Sequence, residues 1–153
     1  MAEKIEPLSG QMKTYEEAAH FGSLISVIYR TSSAYIGNRL REYNIGAGQH
    51  ACLLVIAEKP GISQDELSRI LSIDKAHIAR AVARLETEGY IIRKEDPGDA
   101  RKKSLTVTNT GLALVPKIGA ILQEWNDAIF QNVAKGDIKK INSILEKIVQ
   151  NIE

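Results

Sequence analysis

Two helix starts at Ser63 and Asp74 constrain the fold of this chain more than any other feature of its sequence. Ser63-Gln64-Asp65-Glu66 has the capping-box form, in which the serine and glutamate side chains satisfy each other's exposed backbone N–H groups. It opens a short helix that ends near Leu71. After the connection Leu71-Ser72-Ile73, Asp74 is a good N-cap, and Ile78, Val82 and Leu85 form an apolar stripe that ends at Gly89. Two short helices flanking a tight turn make a helix-turn-helix, an arrangement whose second helix can present its N-terminal, outward residues to a DNA major groove.

The outward residues of that second helix are Lys75, Ala76, His77, Ala79, Arg80, Ala83 and Arg84. Small alanines let a helix approach the groove, while Lys and Arg offer point-charge or bidentate donors to phosphates and guanine edges. An ordinary solvated helix face would carry much the same residues, since Lys and Arg are mostly exposed in any protein. The segment after Gly89 tips the balance. Tyr90-Ile91-Ile92 and Ser104-Leu105-Thr106-Val107-Thr108 are strand-like in β-branched content, and Asp96-Pro97-Gly98-Asp99 between them is turn chemistry. A β-hairpin directly after such a helix is a wing. Its tip, RKEDPGDARKK, holds far more charge than a turn needs.

Net charge is only +1, which alone argues against a nucleic-acid partner, but its distribution is uneven. Lys75 to Lys103 holds eight Lys/Arg against five Asp/Glu, leaving the remainder of the chain at −2. A length of 153 residues at 44% hydrophobic composition fits one globular domain with a mostly aliphatic core. No apolar run approaches the roughly 20 residues of a membrane span, and MAEKIEPLSGQMK lacks the apolar stretch of a secretory signal, so the reading is of a cytosolic protein without a membrane partner. The single Cys52 rules out an internal disulfide framework, and its setting among Ala51, Leu53 and Leu54 suits a buried hydrophobe rather than a redox sensor. His20, His50 and His77 are too scattered for a metal cluster, and no nucleophile–base set or phosphate-cradling loop suggests an enzyme, so neither a metal nor a cofactor is expected.

Outside the central segment the pattern is helical. Phe21, Leu24, Ile25, Ile28, Tyr35, Ile36, Leu40 and Tyr43 recur with a helical period, predicting a first helix of about 25 residues broken by Gly46 and Gly48. A second helix is expected near 47–58, stopped by Lys59-Pro60-Gly61. Towards the end, Thr110 to Asn132 reads as a helix with Pro116 kinking its first half, and a last helix after Gly136 and Asp137 carries Ile138, Ile141, Ile144, Leu145, Ile148, Val149 and Ile152. So many apolar positions on a terminal element call for a partner, either the first helix or a second chain.

The segment from Ile45 to Gly111 resembles the winged-helix core of MarR-type transcriptional regulators. The resemblance is carried by Gln49 and Leu53, by GISQDELSRILSIDKAHIARAVARLETEGYIIR over 61–93, by DPGDAR over 96–101, and by VTNTG over 107–111. It implies a mostly α fold with a small β-hairpin wing, divided into an N-terminal dimerisation helix over 1–44, a winged helix-turn-helix domain over 45–109 and C-terminal dimerisation helices over 110–153. The function it implies is that of a DNA-binding regulator, a repressor acting as a homodimer on a pseudopalindrome in double-stranded DNA and relieved by a small amphipathic or aromatic effector. The other reading that stays open is a winged-helix module that binds only proteins.

The resemblance also assigns roles. Arg101 is expected in a minor groove, whose narrow A·T-rich form attracts arginine, with Asp99 bracing it and Lys102 and Lys103 facing the backbone. Ser63, Gln64, Lys75, Ala76, His77, Ala79, Arg80 and Arg84 complete the candidate DNA-contacting set. The sequence departs from the family at Ala76 and His77, where hydroxyl residues are frequent. An effector pocket is implied where the first, second and fifth helices converge, with Tyr29, Arg30, Tyr35 and His50 as candidates, although each of these also suits ordinary packing.

Overall fold

A computed structural model describes residues 8–96 and 98–152, except for the side chains of residues 8–14, Ala18, Asp96, Ala100, Arg101 and Lys102. The element order is α1 (Leu8–Leu40), a 3₁₀ turn (Arg41–Tyr43), α2 (Ala47–Glu58), β1 (Ile62–Ser63), α3 (Gln64–Leu71), α4 (Lys75–Thr87), β2 (Ile91–Asp96), β3 (Asp99–Val107), α5 (Asn109–Ile129) and α6 (Lys135–Gln150). The expected mostly helical fold with a small β wing is what the chain forms.

The predicted helix starts hold in detail. Ser63 accepts from the Glu66 N–H at 3.2 Å while the Glu66 carboxylate accepts from the Ser63 N–H at 2.9 Å, closing the capping box of α3. Ser72 ends α3 in the left-handed region, at φ 50°, and Asp74 caps α4 by accepting from the His77 N–H at 3.0 Å. Gly89, with φ 74°, lets the chain leave α4 towards β2. Pro97, inside the predicted turn, lies outside the described residues.

Other boundaries differ from expectation. α1 runs for 33 residues rather than about 25. It is ended not by Gly46 and Gly48 but by a 3₁₀ turn closing at Asn44, which takes a left-handed φ of 57°. Gly46 is instead the N-cap of α2, and Gly48 lies inside that helix. Gly136 and Asp137 likewise belong to the first turn of α6 rather than preceding it. α5 spans Asn109–Ile129 rather than 110–132, with Pro116 inside it as expected.

The sheet has a third strand that the hairpin pattern did not reveal. β3 is central, pairing antiparallel with β2 along the wing and with the short β1 at Ile62↔Leu105 and Ser63↔Ser104. Leu53 and Ile56 of α2, Leu67 of α3, Ile78, Val82 and Leu85 of α4, Ile91 of β2, Leu105 of β3 and Ile118 of α5 are buried together with Leu40 of α1. Each such side chain contributes about 1.5–3 kcal/mol relative to exposure, so the helix-turn-helix and the wing base share one core. By contrast, α1 and α6 leave apolar stripes uncovered in the single chain: Phe21, Leu24, Ile25 and Ile28 on α1, and Ile141, Ile144, Leu145 and Val149 on α6.

Candidate nucleic-acid interface

The inward side of α4 is set by Ile78, Ala81, Val82 and Leu85, all buried, and the opposite side is therefore fixed facing solvent. Lys75, Ala76, His77, Ala79, Arg80, Ala83 and Arg84 are all exposed, as their spacing predicts. Their charges are not equally available. Lys75 Nζ lies 3.0 Å from the Asp65 carboxylate of α3, an exposed pair that water and salt weaken. The His77 ring nitrogen Nδ1 pairs with the same Asp74 carboxylate that caps the helix. Hydrogen bonds from the His77 backbone and ring hold the Asp74 carboxyl below its ordinary range, so a negative charge sits at the start of α4 at neutral pH.

Arg84 is drawn back into the chain, its Nε donating to the Asn44 carbonyl at 3.0 Å and its Nη2 standing 3.1 Å from Glu88. Arg80 differs from all of these. Among the described residues it has no ion-pair or hydrogen-bond partner, and Ala76, Ala79 and Ala83 around it keep the helix surface low. An unpaired guanidinium over a floor of methyl groups is suited to bidentate contact with a guanine edge.

At the start of α3, Ser63 is half-buried and its hydroxyl donates to Glu66 at 2.7 Å, so its donor is already used within the capping box. Gln64 beside it is half-exposed. In the wing, Arg93 of β2 is tied to Glu86 of α4 at 2.8 Å, which fixes the ribbon's base to the helix. Lys103 is exposed opposite Glu95, and Asp99 is exposed where β3 begins. The side chains of Arg101 and Lys102 lie outside the described residues.

Among the described residues, the four effector candidates are not gathered in one pocket. Tyr29 lines a cleft of about 430 Å³ between α1, α2 and the start of α4, together with Gln49, Cys52, Asp74, His77 and Arg80. Tyr35 packs on α5 instead: its hydroxyl donates to Glu124 at 3.2 Å and its ring centroid is 5.1 Å from that of Trp125. Arg39 closes the same cluster, 2.6 Å from Glu124. His50 is half-buried, and burial lowers its imidazole pKa. Arg30 is exposed on α1. The cleft residues Gln49 and Asp74 were not among the effector candidates, because only the packing of α2 against α4 brings them beside Tyr29. The one signal available in sequence was the Asp74–His77 spacing, which puts a cap and its third residue on one side of a helix start.

Burial raises the Cys52 thiol pKa to about 11, consistent with a packing role. Among the described residues, no group of three or more His, Cys, Asp or Glu could hold a metal, and no helix is long and apolar enough to cross a membrane.

Comparison with known proteins bears on this geometry. Residues 43–102 match the model of the MarR family. A MarR transcriptional regulator from Methanosarcina mazei Go1 is 34% identical, the match covering 87% of this chain and 96% of that one with a TM-score of 0.80. A MarR family transcriptional regulator from Listeria monocytogenes, crystallised with a 26mer DNA, is 31% identical over 84% of this chain and 85% of its own, with a TM-score of 0.79. The HTH-type transcriptional regulator BilQ of Clostridium symbiosum is 26% identical over 128 residues, 84% of this chain and 89% of that protein.

Proposed function

The chain belongs to the MarR family of transcriptional regulators, and on that premise we propose that it is a sequence-specific repressor that binds double-stranded operator DNA as a homodimer and is released by a small amphipathic or aromatic ligand. The observation that carries the reading is Arg80: a guanidinium with no partner among the described residues, in the middle of the outward face of α4, ringed by alanines and backed by a buried stripe. α4 enters the major groove, Arg80 reads a guanine, and the wing lies along the neighbouring minor groove with Arg101 inserted and Asp99 bracing it. Lys103 and Lys102 then neutralise phosphates.

The uncovered apolar stripes support the dimer. Ile28 is 53% exposed and Ile144 47% exposed in the single chain, and both belong to rows of similar residues that a second copy would bury. A two-fold axis between such copies sets two recognition helices about 34–36 Å apart, one DNA turn, which selects a pseudopalindrome. The cleft lined by Tyr29 and Gln49 supports the ligand response, because a molecule bound there lies against Arg80 and withdraws it from DNA. Of the four effector candidates, Tyr29 alone lines this cleft.

Selection of bound sequences from a DNA library randomised in its core and flanks tests the reading. Arg80→Ala should relax preference at one position per half-site, by about 1–3 kcal/mol of discrimination. Arg101→Ala should instead weaken binding most on A·T-rich flanks, with Asp99→Ala a milder copy and little further loss in the double variant. Wild-type protein that enriches no sequence, or an Arg80→Ala protein with an unchanged motif, refutes the assignment.

A further inference from the structure

Arg84 stands on the DNA-facing side of α4, yet its guanidinium turns away to the place where α1 ends. Nε donates to the Asn44 carbonyl at 3.0 Å. Two other side chains hold the same turn: the Tyr90 hydroxyl donates to the Tyr43 carbonyl at 2.9 Å, and Lys117 Nζ of α5 lies 5.1 Å from the Tyr43 ring centroid. The turn needs holding. Asn44 ends the turn in the left-handed region at φ 57°, which asparagine tolerates, but carbonyls at a helix C-terminus lack intrahelical partners. Arg84 supplies the partner for one of those carbonyls from across the structure, 40 residues along the chain.

We propose that Arg84 is a positioning residue, a strut that fastens the recognition helix to the end of α1 and so sets the angle between the two, rather than a contact to DNA. The proposal rests on the repressor reading, in which α1 joins the dimer and α4 reads the operator. To reach a phosphate, Arg84 would have to leave both the Asn44 carbonyl and Glu88. With the strut in place, the orientation of each recognition helix is referred to the dimer axis through the turn at 41–44. Tyr90, at the start of the wing, refers β2 to the same turn.

Substitution chemistry separates the two roles. In Arg84→Gln the amide nitrogen falls where Nε was, so the bond to the Asn44 carbonyl survives while the charge is lost. Arg84→Lys keeps the charge and loses that nitrogen. Arg84→Ala loses both. In DNA-free protein, hydrogen exchange of the amides over 41–46 should quicken roughly five- to tenfold in Arg84→Ala and Arg84→Lys, the factor expected when one hydrogen bond is lost from a local opening, and stay at the wild-type rate in Arg84→Gln. On the selected operator, Arg84→Gln should bind as wild type with an unchanged salt slope, whereas Arg84→Ala should bind more weakly and tolerate half-sites moved apart by a base pair. A phosphate contact predicts the reverse order: Arg84→Lys retained, and Arg84→Gln weakened with its salt slope reduced by about 0.9. That order, or wild-type exchange over 41–46 in Arg84→Ala, overturns the proposal. Wild-type protein that binds no DNA would sink the repressor reading instead, and the exchange measurements would still decide the strut.

Discussion

Replacing Gly111 by alanine should destabilise the protein, although the position lies in a helix where alanine is ordinarily the better residue. Gly111 sits in the first turn of α5, buried against the start of the wing. A Cβ there would stand 2.2 Å from the Tyr90 carbonyl oxygen and 2.5 Å from Val107 Cγ1. Relief requires the helix start and Tyr90 to part by about 1 Å, against a packed core that resists at about 1–3 kcal/mol. The same movement strains the bond by which the Thr108 N–H donates to Tyr90 O at 2.9 Å, worth about 0.5–1.5 kcal/mol. Alanine's helix propensity returns about 1 kcal/mol, so the net loss should be near 2 kcal/mol. For a chain of this size that corresponds to a melting temperature lower by about 4–8 °C. Gly119, in the same helix, provides the comparison, since a Cβ there meets nothing within 4 Å. Gly119→Ala should gain about 0.5–1 kcal/mol. Denaturant unfolding of both variants and wild type, at one protein concentration, measures the pair. A Gly111→Ala protein as stable as Gly119→Ala would refute the close approach of α5 to Tyr90.

Three further outcomes are expected. A chain ending at Ala134, lacking α6, should sediment as a monomer and bind palindromic DNA poorly, because the stripe of Ile141, Ile144, Leu145 and Val149 is gone; a dimer that survives the deletion would remove α6 from the interface. His50 has its imidazole pKa lowered by burial, so the stability it confers is full above its unfolded value near 6.5 and is lost as pH falls below that value, where the unfolded chain binds the proton more readily. The fall in melting temperature between about pH 7 and about pH 5.5 should therefore shrink in His50→Gln, and equal falls in the two proteins would count against burial as the cause. Cys52, buried at 1% exposure with its thiol pKa raised to about 11, should react with a disulfide reagent only as the chain unfolds; rapid reaction of the native protein would contradict its packing role.

Much of this fold was legible because its signals are local. The capping box at Ser63, the N-cap at Asp74 and the stripe of Ile78, Val82 and Leu85 are each read within a few residues, and the chain obeys them. The features missed depend on neighbours distant in sequence. Ile62-Ser63 is too short to be a strand by itself and becomes one only because Leu105 and Ser104 lie alongside. The end of α1 is set not by the nearby glycines but by Asn44, held from afar by Arg84. The candidate site divides the same way. Spacing identified the outward residues of α4 from Lys75 to Arg84, though not Glu86 and Thr87, and it could not distinguish Arg80, which has no partner among the described residues, from Arg84, bonded back to the chain. Nor could it tell that Tyr29 opens onto a cleft beside α4 while Tyr35 packs on Glu124 and Trp125 of α5.

The short reach of β1 has a consequence for how this molecule avoids its own kind. β1 covers β3 only at Leu105 and Ser104, so from Lys103 outward that edge of the ribbon has no strand beside it among the described residues. A bare edge is a template on which another chain can add a strand, and charge along it is one of the commonest ways proteins prevent such stacking. Lys103 stands on this edge, with Glu95, Lys94 and Arg93 on the strand paired to it, so the charge of the ribbon keeps two wings from zipping together. Wings neutralised residue by residue should accordingly grow sticky towards one another.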